Sequence, residues 1–313
     1  MVQDKKENKR SAKRFIAMLL SVALVASLGL ALVACGGNAA PAGSESTGTA
    51  ATGTASTGTE STGTEAEATP VELQIFAANS LEKALPEVQA LYTSQNPHVT
   101  FADSQFKGSG DLVTELQGGA PADILITASG STMDKAIEDG NIIEATRIDL
   151  FLNDLIVIKQ AGSSVVINSL EDVMSDEISK IAIGDADAVP AGAYANQSLF
   201  TIDLYTDESG KGGEYAADFA ARVVIQASVG NVAKTVSTGD AQIGFAYTSD
   251  LYRYDGIEQA FVVPSDAHKK IVYPGAVVAG SSYADEAAEF IYFCYNDPEA
   301  LRIWAQFGFE VAA

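Results

Sequence analysis

The sequence predicts an α/β fold of two lobes, with largely parallel sheets and a ligand cleft between them. Two observations lead there. From Pro70 onward, β-rich runs alternate with stretches of helical spacing, which is the order of βα units in a parallel sheet. The runs are also more numerous than one compact sheet favours, so two smaller lobes are expected.

Each element is justified by its own pattern. Val71-Glu72-Leu73-Gln74-Ile75-Phe76 alternates and reads as a strand. Leu81 to Tyr92 has helical spacing, Val99 to Phe101 is a short strand, and Asp111 to Gln117 is a helix. Ala122 to Ile126 reads as a strand and Met133 to Glu138 as a helix. Leu155 to Ile158 and Lys180 to Ile183 are β-rich, as are Val223 to Gln226, Ile243 to Tyr247, Phe261 to Val263 and Val277-Val278. Ala284 to Phe307 is one or two amphipathic helices. Divisions near Asn153-Asp154 and near Pro264 give a discontinuous first lobe, 70–152 plus 264–313, and a continuous second lobe, 153–263. Ligands in such folds sit at strand ends, in the crevice between lobes.

Composition removes several classes of function. The chain has 313 residues, Lys+Arg 19 against Asp+Glu 41, and a net charge of -22. A nucleic-acid binder relies on a basic face, so no nucleic-acid partner is expected. Two Cys and two His cannot build a disulfide scaffold or a Cys/His-rich zinc site.

The basic groups Lys5, Lys6, Lys9, Arg10, Lys13 and Arg14 cluster before an uncharged apolar run, Phe15 to Ala34. These are the n-region and h-region of an export signal over 1–34. Leu32-Val33-Ala34-Cys35 closes it as a lipobox, so Cys35 is the expected lipidation site and the body lies outside the cytoplasm, held to a membrane. Residues 35–69 repeat Thr-Gly-Thr with Ser, Ala and Glu. Such a segment buries too little apolar area to offset its ordering entropy and reads as a tether.

The helix starts carry the functional signal. Ala77-Ala78-Asn79-Ser80 and Lys107-Gly108-Ser109-Gly110 each follow a strand and place a Ser where an N-cap would stand. Val189-Pro190-Ala191-Gly192 sets Pro190 in a first helical turn, leaving the N–H groups of Ala191 and Gly192 free. Gly230-Asn231-Val232 precedes a short helix expected from Val232 to Ser237. Each start offers unpaired N–H groups and the positive end of a helix dipole, and together they would cage a small anion. Taken singly, each Ser or Asn is an ordinary cap, and Tyr247 could be a core aromatic with a satisfied hydroxyl.

Four segments then show a resemblance. Phe76-Ala77-Ala78-Asn79-Ser80-Leu81, Gly119-Ala120-Pro121-Ala122-Asp123, Val189-Pro190-Ala191-Gly192 and Ser265-Asp266-Ala267-His268-Lys269-Lys270-Ile271-Val272-Tyr273-Pro274 stand in order and spacing. The chain resembles, over essentially all of 71–313, the molybdate-binding proteins of ABC importers, which have type II periplasmic-binding folds. Gly-Ala-Pro-Ala-Asp alone is shared with other solute-binding proteins; the four together are specific. The resemblance implies that a tetrahedral oxyanion is held by Ser80, Ser109, Ala191, Val232 and Tyr247. It implies molybdenum bound as molybdate with no direct protein–metal ligand, and no resident cofactor. Two departures stand out: Asn79 replaces a small Ala, and Lys107-Gly108-Ser109-Gly110 replaces a more Ser-rich turn.

The implied chemistry is coherent. Molybdate is a dianion offering acceptors only, and hydroxyls with N–H groups satisfy it without a carboxylate. The expectation is a lipid-anchored, monomeric solute-binding protein. It captures molybdate and also tungstate, closes two lobes about a hinge, and delivers to a permease with a cytoplasmic ATPase. It is not expected to be an enzyme. The alternatives are a binder of sulfate or an organic acid, or a surface lipoprotein hydrolase. Against the hydrolase, the sequence holds no Gly-x-Ser-x-Gly elbow and gives Ser80 no obvious His partner. Cys294, in an apolar helix, reads as a buried structural thiol, and His98 and His268 lie in polar loops.

Overall fold

A computed structural model describes residues 69–312. The export signal over 1–34, lipidation at Cys35 and the tether over 35–69, save Thr69, lie outside the described residues. Among the described residues no helix is long and apolar enough to cross a membrane.

The first part of the chain runs β1 (Val71–Leu73), β2 (Ile75–Ala78), α1 (Ala84–Gln95), β3 (Val99–Phe101), β4 (Gln105–Lys107), α2 (Ser109–Gln117), β5 (Ile124–Ile126), α3 (Gly130–Glu138) and β6 (Ile148–Leu152). The middle runs β7 (Leu155–Gln160), β8 (Ile181–Gly184), α4 (Pro190–Phe200), α5 (Ala217–Ala220), β9 (Val223–Gln226), α6 (Val229–Ser237), β10 (Ile243–Tyr247) and β11 (Ile257–Val262). The last part is β12 (Val272–Val277), α7 (Ala284–Asn296), α8 (Pro298–Gln306) and β13 (Glu310–Val311).

Two main sheets result. One has the order β13-β6-β12-β5-β2-β4 and the other β11-β7-β10-β8-β9, with β1 and β3 forming a separate pair. The chain passes from the first sheet to the second between β6 and β7, through Asn153-Asp154. It returns between β11 and β12. β2, β5 and β10 are buried along their whole length. Burial on both faces explains why β5 and β10 are continuous runs without polar alternation.

The strands joined by βα units are parallel: β2 with β4 and β5, β8 with β9 and β10. The strands flanking the two crossings are antiparallel, β12 with β5 and β6, β7 with β10 and β11. The sheets are thus more mixed than the βα pattern alone suggests, because a chain that leaves a lobe and returns adds strands in the opposite sense.

The expected strand over 71–76 is two. Gln74 N–H donates to Asp123 Oδ2 at 2.8 Å, and the Gln74 carbonyl accepts from Asp123 N at 2.8 Å. This side-chain clamp shifts the chain from pairing with β3 to pairing with β5. The C-terminal region is two helices, because Asp297 accepts from Glu299 and Ala300 N–H and Pro298 stands in the first turn of α8. Trp304 of α8 packs on Phe151 of β6, ring centroids 4.2 Å apart, and anchors these helices to the first sheet.

Candidate functional site

The two sheets present their helix starts to one another across a narrow crevice. Ala78, Asn79, Ser80, Lys107, Gly108, Ser109 and Ala128 line a small cavity from the first sheet's side. Val189, Pro190, Ala191, Val229 and Tyr247 line it from the second. The lobes touch at its rim, where Gly110 N–H donates to Ala188 O at 3.0 Å. A Cβ at Gly110 would stand 2.6 Å from Asp187 O, and one at Gly108 2.6 Å from Ala188 O. Glycine is what lets these two backbones meet.

Ser80 and Ser109 do not cap their own helices. Ser80 lies within a single 3-10 turn, Asn79–Leu81, whose N-cap position is Ala78, and Ser109 is the first residue of α2, after Gly108. Ser109 Oγ accepts from Ala128 N–H at 3.0 Å. Its own proton is thereby left to donate elsewhere. Ser80 Oγ lies 2.9 Å from Tyr273 Oη. Both serines are buried. The structure therefore replaces the expected capping role with hydroxyls braced by partners from other elements.

On the second lobe, Pro190 opens α4, and Ala191 N–H has no acceptor among the described residues. Gly192 N–H, expected free, donates to Val189 O at 2.9 Å. Val232 is also corrected. Helix α6 begins three residues earlier than its sequence suggests, with Ser228 as N-cap, so Val232 N–H donates to Ser228 O at 3.1 Å. Val229 occupies the first position of α6, lines the cavity, and its N–H has no partner among the described residues. The sequence signal for it is Ser228, whose hydroxyl caps the helix by accepting from Asn231 N–H.

Tyr247, at the end of β10, is 1% exposed, and its hydroxyl has no hydrogen-bond partner among the described residues. A buried hydroxyl left unpaired costs about 1–3 kcal/mol, so it is not a satisfied core tyrosine. Burial, with Tyr273 adjacent, raises its pKa well above the ordinary value. It stays a neutral donor. Its backbone is fixed by Asp250, whose Oδ2 accepts Tyr247 N–H at 2.9 Å.

The cavity thus gathers three hydroxyls, from Ser80, Ser109 and Tyr247, and the free N–H groups of Ala191 and Val229. No carboxylate lines it. Among the described residues, no group of three or more His, Cys, Asp or Glu could hold a metal ion. Such a site can bind an anion through its own oxygens, not a bare cation. Cys294 is buried in α7, far in sequence from these segments, and burial raises its thiol pKa.

Residues 73–310 match the family described as bacterial extracellular solute-binding protein. YvgL of Bacillus subtilis, provisionally named an ABC transporter substrate-binding lipoprotein, is 29% identical over 239 residues, 76% of this chain and 86% of its own. The molybdate-binding protein ModA of Haemophilus influenzae is 31% identical over 249 residues, 76% of this chain and 90% of that protein. The solved substrate-binding domain of a provisionally assigned molybdenum ABC transporter from Clostridium difficile is 30% identical, with a TM-score of 0.58. That match covers 78% of this chain and 100% of that one.

Proposed function

The chain belongs to the family of bacterial extracellular solute-binding proteins, and on that premise we propose that it captures molybdate, and tungstate, for an ABC importer. The observation that carries the reading is the unpaired, buried Tyr247 hydroxyl facing a set made of donors only. A fully ionised tetrahedral oxyanion is the ligand such a set completes. The similarity to molybdate-binding relatives supports the same choice.

The ligand is held, not transformed. Ser80 and Ser109 from one lobe and Ala191, Val229 and Tyr247 from the other donate to its oxygens at once, so binding favours the closed arrangement. Opening about the two crossings then releases it to a permease driven by a cytoplasmic ATPase. No resident cofactor enters. The protein acts as a monomer, anchored at the outer face of the membrane through lipid on Cys35. The lipobox and the name given to YvgL support this anchoring.

Thermal unfolding against a panel of oxyanions tests the reading. A ligand at 100 times its Kd adds about 2.7 kcal/mol of stability. Molybdate and tungstate, nearly equal in size and charge, should raise the unfolding temperature alike. Sulfate has shorter bonds and leaves donors stretched, each costing about 1–3 kcal/mol. Phosphate, usually protonated once, would face donors with a donor. Equal stabilisation by sulfate makes this a general oxyanion binder, and no shift with any oxyanion rejects the reading.

A further inference from the structure

Beside the cage, and starting from the cavity-lining Asn79, lies a second set of contacts between the lobes. Asn79, in the first βα turn of the first lobe, turns its Oδ1 to the second lobe. There it accepts from Gly230 N–H at 3.1 Å and from Arg253 Nη2 at 3.2 Å. Arg253 Nη2 also donates to Glu82 Oε2 at 3.0 Å, again across the crevice, and to Tyr254 Oη at 3.1 Å within its own lobe. The Arg253 side chain is 1% exposed. Its Nη1 donates to Asp250 Oδ1 at 2.6 Å, and its guanidinium lies 4.9 Å from the Tyr254 ring centroid.

The close fit around Gly230 belongs to the same set. A Cβ there would stand 2.2 Å from Tyr254 Oη and 2.7 Å from Asn79 Oδ1. Two groups of the second lobe, Gly230 N–H and the Arg253 guanidinium, thus converge on one side-chain oxygen and one carboxylate of the first. Asp250 also holds the Tyr247 backbone, so the guanidinium and the ligand-facing tyrosine share one carboxylate.

We propose that Asn79, Glu82 and Arg253 form a clasp that holds the two lobes closed and slows release of the bound oxyanion. Opening the lobes removes Asn79 and Glu82 from a desolvated guanidinium, and leaves Gly230 N–H, the second N–H of α6, without its acceptor. Hydrogen bonds to charged groups are stronger than neutral ones, and opening exchanges these contacts for bonds to water. The closed state therefore draws stability from contacts the ligand does not make, and closure is partly built in before ligand arrives. These residues are positioning residues: they act on the ligand through lobe closure. The release part of this inference rests on the oxyanion reading above; the closure part does not.

The test uses Asn79→Ala, which removes the shared acceptor and leaves the Arg253–Asp250 pair intact, with Glu82→Gln as a second variant. Molybdate dissociation is followed after rapid dilution, and association by mixing. Asn79→Ala should speed release about tenfold or more, with association changed less than twofold, and Glu82→Gln should do the same to a smaller degree. Small-angle scattering of ligand-free protein should show a larger radius of gyration for Asn79→Ala than for wild type. Unchanged release together with an unchanged ligand-free radius overturns the clasp. Wild-type protein that binds no oxyanion sinks the functional reading instead, and the ligand-free radius still decides whether the clasp exists.

Discussion

Tyr273 Oη lies 2.9 Å from Ser80 Oγ, and Asn153 Nδ2 lies 3.4 Å from the same Tyr273 oxygen. The Asn153 amide nitrogen can only donate, so the Tyr273 oxygen accepts from it and its proton is directed to Ser80. Ser80 then accepts from Tyr273 and keeps its own proton for the cavity. Asn153 stands at the first crossing between sheets, and its Nδ2 also donates to Ser249 Oγ at 2.8 Å. The crossing is therefore connected by hydrogen bonds to a ligand-facing hydroxyl.

Tyr273→Phe tests this relay. The ring keeps its contacts with Tyr247 and Phe309, centroids 6.0 and 5.4 Å away, so the fold should persist. Ser80 loses the donor that orients it. Molybdate affinity should fall about fivefold, the worth of one ordinary hydrogen bond. Calorimetry that finds affinity within twofold of wild type would show that Ser80 needs no such bracing.

Tyr247→Phe should move stability and affinity in opposite directions. The variant deletes a buried hydroxyl that has no partner among the described residues. The ligand-free protein should unfold at the same temperature or higher, by about 1 kcal/mol of added stability. Affinity should drop tenfold or more. A tyrosine that merely packs would leave affinity alone.

How far the sequence reached is clear from particular residues. Ser80, Ser109 and Ala191 stand at helix starts that Ser, Pro and Gly after a strand mark locally, whereas Tyr247 is singled out only by the family resemblance; all four line one cavity. Val232 shows the limit: helix starts blur by a turn, and a three-residue shift exchanges a free N–H for a bonded one. Tyr273 and Arg253 were beyond reach. Tyr273 is 193 residues from Ser80, and Arg253 is 174 from Asn79. No local pattern records such pairings. β4 and β6 escaped for a related reason, since their half-exposed residues are placed by neighbouring strands rather than by their own periodicity.

Val229→Pro isolates a backbone donor. Proline suits the first position of a helix, and Ser228 before it is already extended, at φ -157° and ψ 159°. The substitution removes one N–H from the cavity while α6 remains. Affinity should fall about tenfold or more with little change in unfolding temperature. Val232→Ala should do the reverse, opening a void in a fully buried position at a cost of about 1–3 kcal/mol and leaving affinity nearly unchanged. If Val232→Ala weakened binding and Val229→Pro did not, Val232 rather than Val229 would be the ligand contact.

The last expectation concerns pH. The hydroxyl and N–H donors in the cavity carry no charge, the charged side chain in its lining, Lys107, is paired with Glu115, and burial holds Tyr247 protonated. Molybdate affinity should therefore be flat from about pH 6 to about pH 9, outside the ranges where hydroxyls and amides titrate. Stability should behave differently at high pH. Burial pushes Tyr194 up to about 12 and raises Tyr273 as well, the latter partly offset by its bond to Ser80. Unfolded tyrosines ionise near 10. A folded pKa above the unfolded one means the contribution is intact below about pH 10 and is lost as pH rises through the folded value. Between about pH 10 and 12 the unfolded chain holds fewer protons than the folded one, so stability should fall by about 1.4 kcal/mol per pH unit for each such tyrosine. Denaturant titrations from neutral to alkaline pH measure the slope, and calorimetry with molybdate measures the plateau. A tenfold change in affinity within the plateau range would show that a neutral donor set alone does not control the site.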